Sequence, residues 1–138
     1  MTLTAGPPAI VVDASAAIQA LTDQAPWPQR WAAWAETDTL LLAPAHFPVE
    51  VANGLLKGSG VGPGHVPAKL AAMARSGVEV ADRGWPGLVQ AVQMAVRHRL
   101  TVYDALYLQL AIDIEAPLAT LDRALAAAAR DEGVEVIG

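Results

Sequence analysis

A chain of 138 residues, 54% of them hydrophobic, has the length of one domain and enough apolar content for a self-sufficient core. Its formal net charge of -5, with no basic tail or long Lys/Arg run, excludes general electrostatic adhesion to nucleic acid, and the lack of cysteine excludes disulfides and thiolate metal sites. The opening MTLTAGPPAI has neither the basic nor the long apolar region of a secretory signal, and no apolar run reaches membrane-spanning length. The expectation is therefore a soluble cytoplasmic protein with no membrane partner.

Residues 1–8 are read as a flexible lead-in, because Pro7 and Pro8 oppose regular structure. A short buried strand is predicted over Ala9–Val12, ending at Asp13. Ser15 then opens a helix to about Thr22, and Pro28 suits the first turn of a second helix to about Glu36, on which Trp31 and Trp34 share a face. A second strand covers Thr39–Ala43, and a helix follows from about Pro48 to Leu56 until GSGVGPG stops it. His65–Arg75 is helical, Val78–Ala81 extended, and Pro86–Arg97 helical again.

Thr101 is placed to cap the next helix, which runs to about Ile112 with Asp104 at its third position. That helix is apolar on nearly every side, so it should lie centrally. Leu118–Leu121 supplies a strand, Asp122 caps a helix to about Arg130, and Val134–Ile137 ends the pattern. Short apolar strands alternating with amphipathic helices predict one α/β domain, a mainly parallel sheet with helices on both faces.

Four carboxylates fall where a charge needs justification: Asp13 in IVVDASA, Glu50 in PVEVANGLL, Asp104 in TVYDALYLQLA and Asp122 in LATLDRAL. Asp13 and Asp122 follow strands at the end where open α/β sheets bind ligands, while Glu50 and Asp104 would enter from the first turns of two helices. Each has an ordinary alternative as a cap, turn or solvated first-turn residue. Gathered in one cleft, they would form an oxygen-rich site suited to Mg²⁺ or Mn²⁺, since a cation relieves their mutual repulsion. Setting aside these four of the 14 acids leaves 10 against 9 basic residues, so a bound cation would remove much of the local repulsion toward phosphate.

VVDASA, EVANGLLK, TVYDALYLQLA and ATLDRALAAAA, in that order and spanning Ile10 to about Ala129, resemble the four acidic motifs of PIN-domain ribonucleases, most closely VapC-like toxins of toxin-antitoxin pairs. The resemblance implies a three-layer α/β/α fold and a Mg²⁺- or Mn²⁺-dependent endoribonuclease in which Asp13, Glu50, Asp104 and Asp122 serve as metal-binding and catalytic acids. It also implies that Ser15 and Thr120 are hydroxyls beside the first and fourth acids, that Asn53 is a substrate or network contact, and that the chain forms a homodimer held in check by a VapB-like antitoxin.

Lys57, Arg97, Arg99 and Arg123 are the candidate RNA contacts, each with a solvated surface role as the alternative. His46, His65 and His98 have no metal-ligand spacing, and Tyr103 and Tyr107 are expected to frame the pocket by packing. A phosphatase or receiver-like domain is disfavoured because DASA lacks the DxDx[TV] pattern and no suitable lysine motif is present. A catalytically weak PIN-like module that binds RNA or protein is the non-enzymatic alternative.

Overall fold

Short runs of apolar residues pair into one parallel sheet whose central strand, Ala9–Val12, is buried along most of its length. The computed structural model describes residues 8–138, so the expected lead-in, apart from Pro8, lies outside the described residues. Strands β1 (Ala9–Val12), β2 (Leu40–Pro44), β3 (Glu79–Ala81), β4 (Leu118–Ala119) and β5 (Val136–Ile137) stand in the order β3-β2-β1-β4-β5. All four pairings are parallel, with Val11 opposite Leu42 on one side and Leu118 on the other. The chain builds outward from β1 to β3, then returns to β4 and continues to β5. The order therefore reverses between β1 and β4, the switch point at which such sheets open a crevice.

Helices α1 (Ala14–Leu21), α2 (Trp27–Glu36), α3 (Phe47–Leu56) and α4 (Val66–Arg75) pack among themselves. Helices α5 (Gly84–His98), α6 (Val102–Ile114) and α7 (Arg123–Asp131) form a second group. Right-handed crossovers assign the two groups to opposite faces of the sheet, giving three layers. Helix α6 touches β1, β2 and β4 and buries Ala105, Tyr107, Leu108, Leu110 and Ala111, which accounts for its nearly uniform apolar character. Trp27 and Trp31 are buried in the core, and Trp34 packs against its edge with its ring 5.2 Å from that of Trp31.

Most differences from expectation lie at the ends of elements. Helix α1 starts at Ala14, with Asp13 rather than a later residue as its N-cap. Helix α5 begins two residues before Pro86, and α6 runs to Ile114. The last two strands shrink to two residues each; beyond β4, Thr120 N still donates to Ile137 O at 3.0 Å, but the Thr120 hydroxyl and the Leu121 amide serve the turn into α7. Gly58 and Gly60 have φ of 85° and 81°, so the glycine-rich link is a turn that side chains would strain. Among the described residues no helix is long and apolar enough to cross a membrane.

Candidate functional site

Asp13, Glu50, Asp104 and Asp122 line a single pocket of about 130 Å³, together with Ala14, Ser15 and Tyr107. They reach it from four separate parts of the chain. Asp13 caps α1 at the end of β1, Glu50 and Asp104 lie in the first turns of α3 and α6, and Asp122 caps α7 just beyond β4. Helix N-termini thus face the acids, and their free amides favour negative charge there.

Asp13 is the most deeply held, with only 4% of its surface exposed. Its Oδ1 accepts from Ser15 Oγ at 2.6 Å and from the Ala16 amide at 2.9 Å, and its Oδ2 accepts from the Thr120 hydroxyl. Both hydroxyls also accept: Leu121 N donates to Ser15 Oγ and Asp122 N to Thr120 Oγ1, each at 3.0 Å. The β4–α7 turn is thereby tied to the end of β1. Asp122 in turn accepts from Leu125 N at 2.8 Å. Burial pushes the Asp13 carboxyl above its ordinary value, against the lowering effect of the Ser15, Thr120 and Ala16 donors.

Asp104 is less anchored: its amide donates to Thr101 Oγ1 at 3.1 Å, and the Thr101 hydroxyl is only the weakest influence on its carboxyl. Burial, followed by the charges of Asp122, Glu50 and Asp13, pushes its carboxyl up to about 6. Glu50 goes the other way. Burial raises it, but His46 and the Tyr107 hydroxyl outweigh that effect and hold it below the usual carboxylate range. Tyr107 Oη donates to Glu50 Oε1 at 2.6 Å, while His46 Nε2 lies 3.4 Å from the same oxygen without hydrogen-bond alignment. The tyrosine hydroxyl is therefore the stronger anchor of the two.

These contacts bring to the acids two residues, Tyr107 and His46, that the sequence reading did not pair with them. Tyr107 sits three positions after Asp104, one helix face along, and His46 four positions before Glu50. That i, i+3 and i, i+4 spacing was the available signal. The His46 ring is held between Tyr103 and Tyr107, with centroids at 5.6 and 4.9 Å.

The other candidates do not line the pocket. Asn53 is exposed on α3, Lys57 is the exposed C-cap of that helix, and Arg99 ends α5 in a left-handed conformation. Arg97 pairs with Glu132 at 3.2 Å. Only Arg123, exposed in the first turn of α7, directly follows one of the four acids.

A second potential chelating group exists. His98, Asp131 and Glu132 place ligand atoms within 4.8 Å of one another, with His98 Nε2 2.6 Å from Glu132 Oε2. This triad lies at the C-terminal end of α7, roughly 13 Å along that helix from Asp122 at its start. Arg97 pairs with Glu132, so the triad is a largely satisfied ion cluster, whereas no lysine or arginine among the described residues lines the four-acid pocket.

The sequence profile of the PIN domain matches residues 10–131, which contain all four pocket acids. The chain belongs to the PIN-domain family. Its fold is shared with solved structures of that family and of toxin-antitoxin systems. PAE2754 from Pyrobaculum aerophilum is 26% identical, with a TM-score of 0.72, covering 95% of this chain and 92% of that one. VapBC2 from Rickettsia felis, solved with a promoter DNA fragment, is 13% identical, with a TM-score of 0.71 and coverage of 94% and 97%. The Mycobacterium tuberculosis toxin VapC20, which cleaves the sarcin-ricin loop, is 21% identical, with a TM-score of 0.66 and coverage of 86% and 94%. No curated protein sequence matches the chain.

Proposed function

We propose that this PIN domain is a Mg²⁺- or Mn²⁺-dependent endoribonuclease of the toxin-antitoxin type, with Asp13, Glu50, Asp104 and Asp122 as its metal-binding acids. The observation that carries the reading is their convergence from four chain segments onto one pocket at the sheet's switch point. The donor set fits a hard cation: it is all carboxylate oxygen, and repulsion from Asp122, Glu50 and Asp13 adds to burial in raising Asp104 to about 6. Bound there, such an ion supplies Lewis-acid polarisation of a phosphoryl oxygen and a water of lowered pKa.

The chain's own groups supply rigidity and orientation. Ser15, Thr120 and the Ala16 amide fix both Asp13 oxygens, so that acid has one orientation toward the pocket. Tyr107 fixes Glu50. Asp104 and Asp122 are more open to water than Asp13, which suits groups that orient water and accept its proton. Arg123, beside Asp122, is placed to meet an RNA phosphate, while Arg99, Lys57 and Asn53 would act only on a strand extending beyond the pocket.

The Rickettsia felis relative is a VapBC complex, which supports an antitoxin as the partner of this chain. An antitoxin segment carrying arginine would pair bidentately with the acids in place of a cation.

The test is to incubate purified, antitoxin-free protein with total cellular RNA and map the new ends. Ends at discrete positions that require Mg²⁺ or Mn²⁺ support the reading. Equal cleavage in excess EDTA defeats it, and binding without cleavage in either ion would make the chain a binding module instead.

A further inference from the structure

Among the described residues, Glu50 has two side chains against one of its oxygens and none against the other. Tyr107 Oη donates to Oε1 and His46 Nε2 approaches that same oxygen, while no group among the described residues donates to Oε2. Tyr107 is 1% exposed and packed on α6, so its hydroxyl cannot swing away to release Oε1. His46 is boxed in by the Tyr103 and Tyr107 rings, and neither of its ring nitrogens has a hydrogen-bond partner. An imidazole whose two shielded nitrogens are both unpaired calls for an explanation, and among the described residues the acidic oxygen within 4 Å of it is that of Glu50.

We infer that Tyr107 and His46 are positioning residues that make Glu50 a one-oxygen ligand, holding Oε1 back and presenting Oε2 to the cation. This rests on the metal-centre reading above and adds ion selectivity to it. Mg²⁺ and Mn²⁺ take single oxygens in a compact octahedral shell, whereas Ca²⁺ accepts two-oxygen carboxylates and a larger shell. A Glu50 unable to offer both oxygens therefore favours the small ions. Freeing Oε1 erodes that preference.

The experiment is calorimetric titration of the whole chain with Mn²⁺ and, separately, Ca²⁺. The proteins are wild type, Tyr107→Phe, His46→Phe, Glu50→Gln and the Tyr107→Phe/Glu50→Gln double variant, each checked by thermal melting. His46→Phe keeps the ring packing and removes only the nitrogens. Tyr107→Phe should weaken Mn²⁺ binding about 10-fold and leave Ca²⁺ binding unchanged or tighter. His46→Phe should act in the same direction, more weakly. On the Glu50→Gln background, Tyr107→Phe should add less than about twofold, because its effect passes through Glu50. A Mn²⁺/Ca²⁺ ratio unchanged in Tyr107→Phe, or an undiminished effect on the Glu50→Gln background, overturns the inference, and a neutral His46→Phe removes His46 from it. Wild type that binds no Mn²⁺ would instead bring down the metal-centre reading on which it stands.

Discussion

Removing one charge from the pocket should stabilise the metal-free protein while disabling it, and Asp104→Asn is the sharpest case. In the fold, burial and three neighbouring acids move this carboxyl from 3.8 to about 6. Fully realised, a shift of roughly two units is worth about 3 kcal/mol. Asp104 is only partly buried, so solvent screening leaves roughly half of that. The lost attraction between its charge and the N-terminus of α6 takes back about 0.5 kcal/mol. A net gain of about 1 kcal/mol at pH 7 remains, or about 3–5 °C in Tm for a chain of this size.

The sign with pH follows from linkage. Well below 3.8 the group is protonated in folded and unfolded chains alike and contributes nothing. Between 3.8 and about 6 the unfolded chain ionises first, so wild-type stability falls as pH rises, and above about 6 the whole penalty is present. The advantage of Asp104→Asn should therefore be largest at pH 7 and shrink to a small fraction of that near pH 4. Saturating Mn²⁺ should reverse the order, since a ligand at 100 times its Kd stabilises the protein that binds it by about 2.7 kcal/mol. Thermal melts of both proteins at pH 4 and 7, with and without Mn²⁺, read all four corners. An Asp104→Asn variant destabilised at pH 7 without metal, equally at both pH values, would show Asp104 to be a structural cap and refute this reasoning.

Thr120→Val should cost about 2–3 kcal/mol in urea denaturation, because it strips Asp13 Oδ2 of its donor and the Asp122 amide of its acceptor in a site only 2% exposed. Ser15→Ala should cost less, about 1 kcal/mol, since Asp13 Oδ1 keeps the Ala16 amide. Glu132→Gln should cost less than about 1 kcal/mol at neutral pH. That loss should disappear in acid, because the His98 hydrogen bond and Arg97 hold the Glu132 carboxyl below its ordinary range. The same variant should leave calorimetric Mn²⁺ binding intact, whereas binding lost with it would move the metal to the His98 triad.

The parts of the site that could be read from sequence are those carried by strand ends and first turns. Asp13 follows an apolar run, Asp122 follows another, and Thr101 and Asp104 stand in capping register, so their placement at one edge of a parallel sheet follows from the alternation of elements. Side-chain partners across the fold could not be read that way. The Tyr107 hydroxyl meets Glu50 from a residue 57 positions away, and the Thr120 hydroxyl reaches Asp13 across 107. Tertiary packing makes such pairs and local pattern does not encode them. Arg97 likewise has a partner that local pattern does not encode: it pairs with Glu132, 35 positions away. Strand lengths were overestimated for a local reason, since Thr120 and Leu121 are apolar enough to extend β4 but their neighbourhood uses them in the turn that binds Asp13 and Ser15.

The central claim, that four gathered carboxylates make a metal-dependent nuclease centre, is tested most directly by RNA cleavage with wild type and Asp104→Asn side by side in Mn²⁺ and in EDTA. The account predicts ion-dependent cleavage by wild type and a loss on the order of 100-fold in a variant that melts at a higher temperature than wild type without metal. Cleavage by Asp104→Asn at the wild-type rate, or by wild type at an undiminished rate in EDTA, would contradict it.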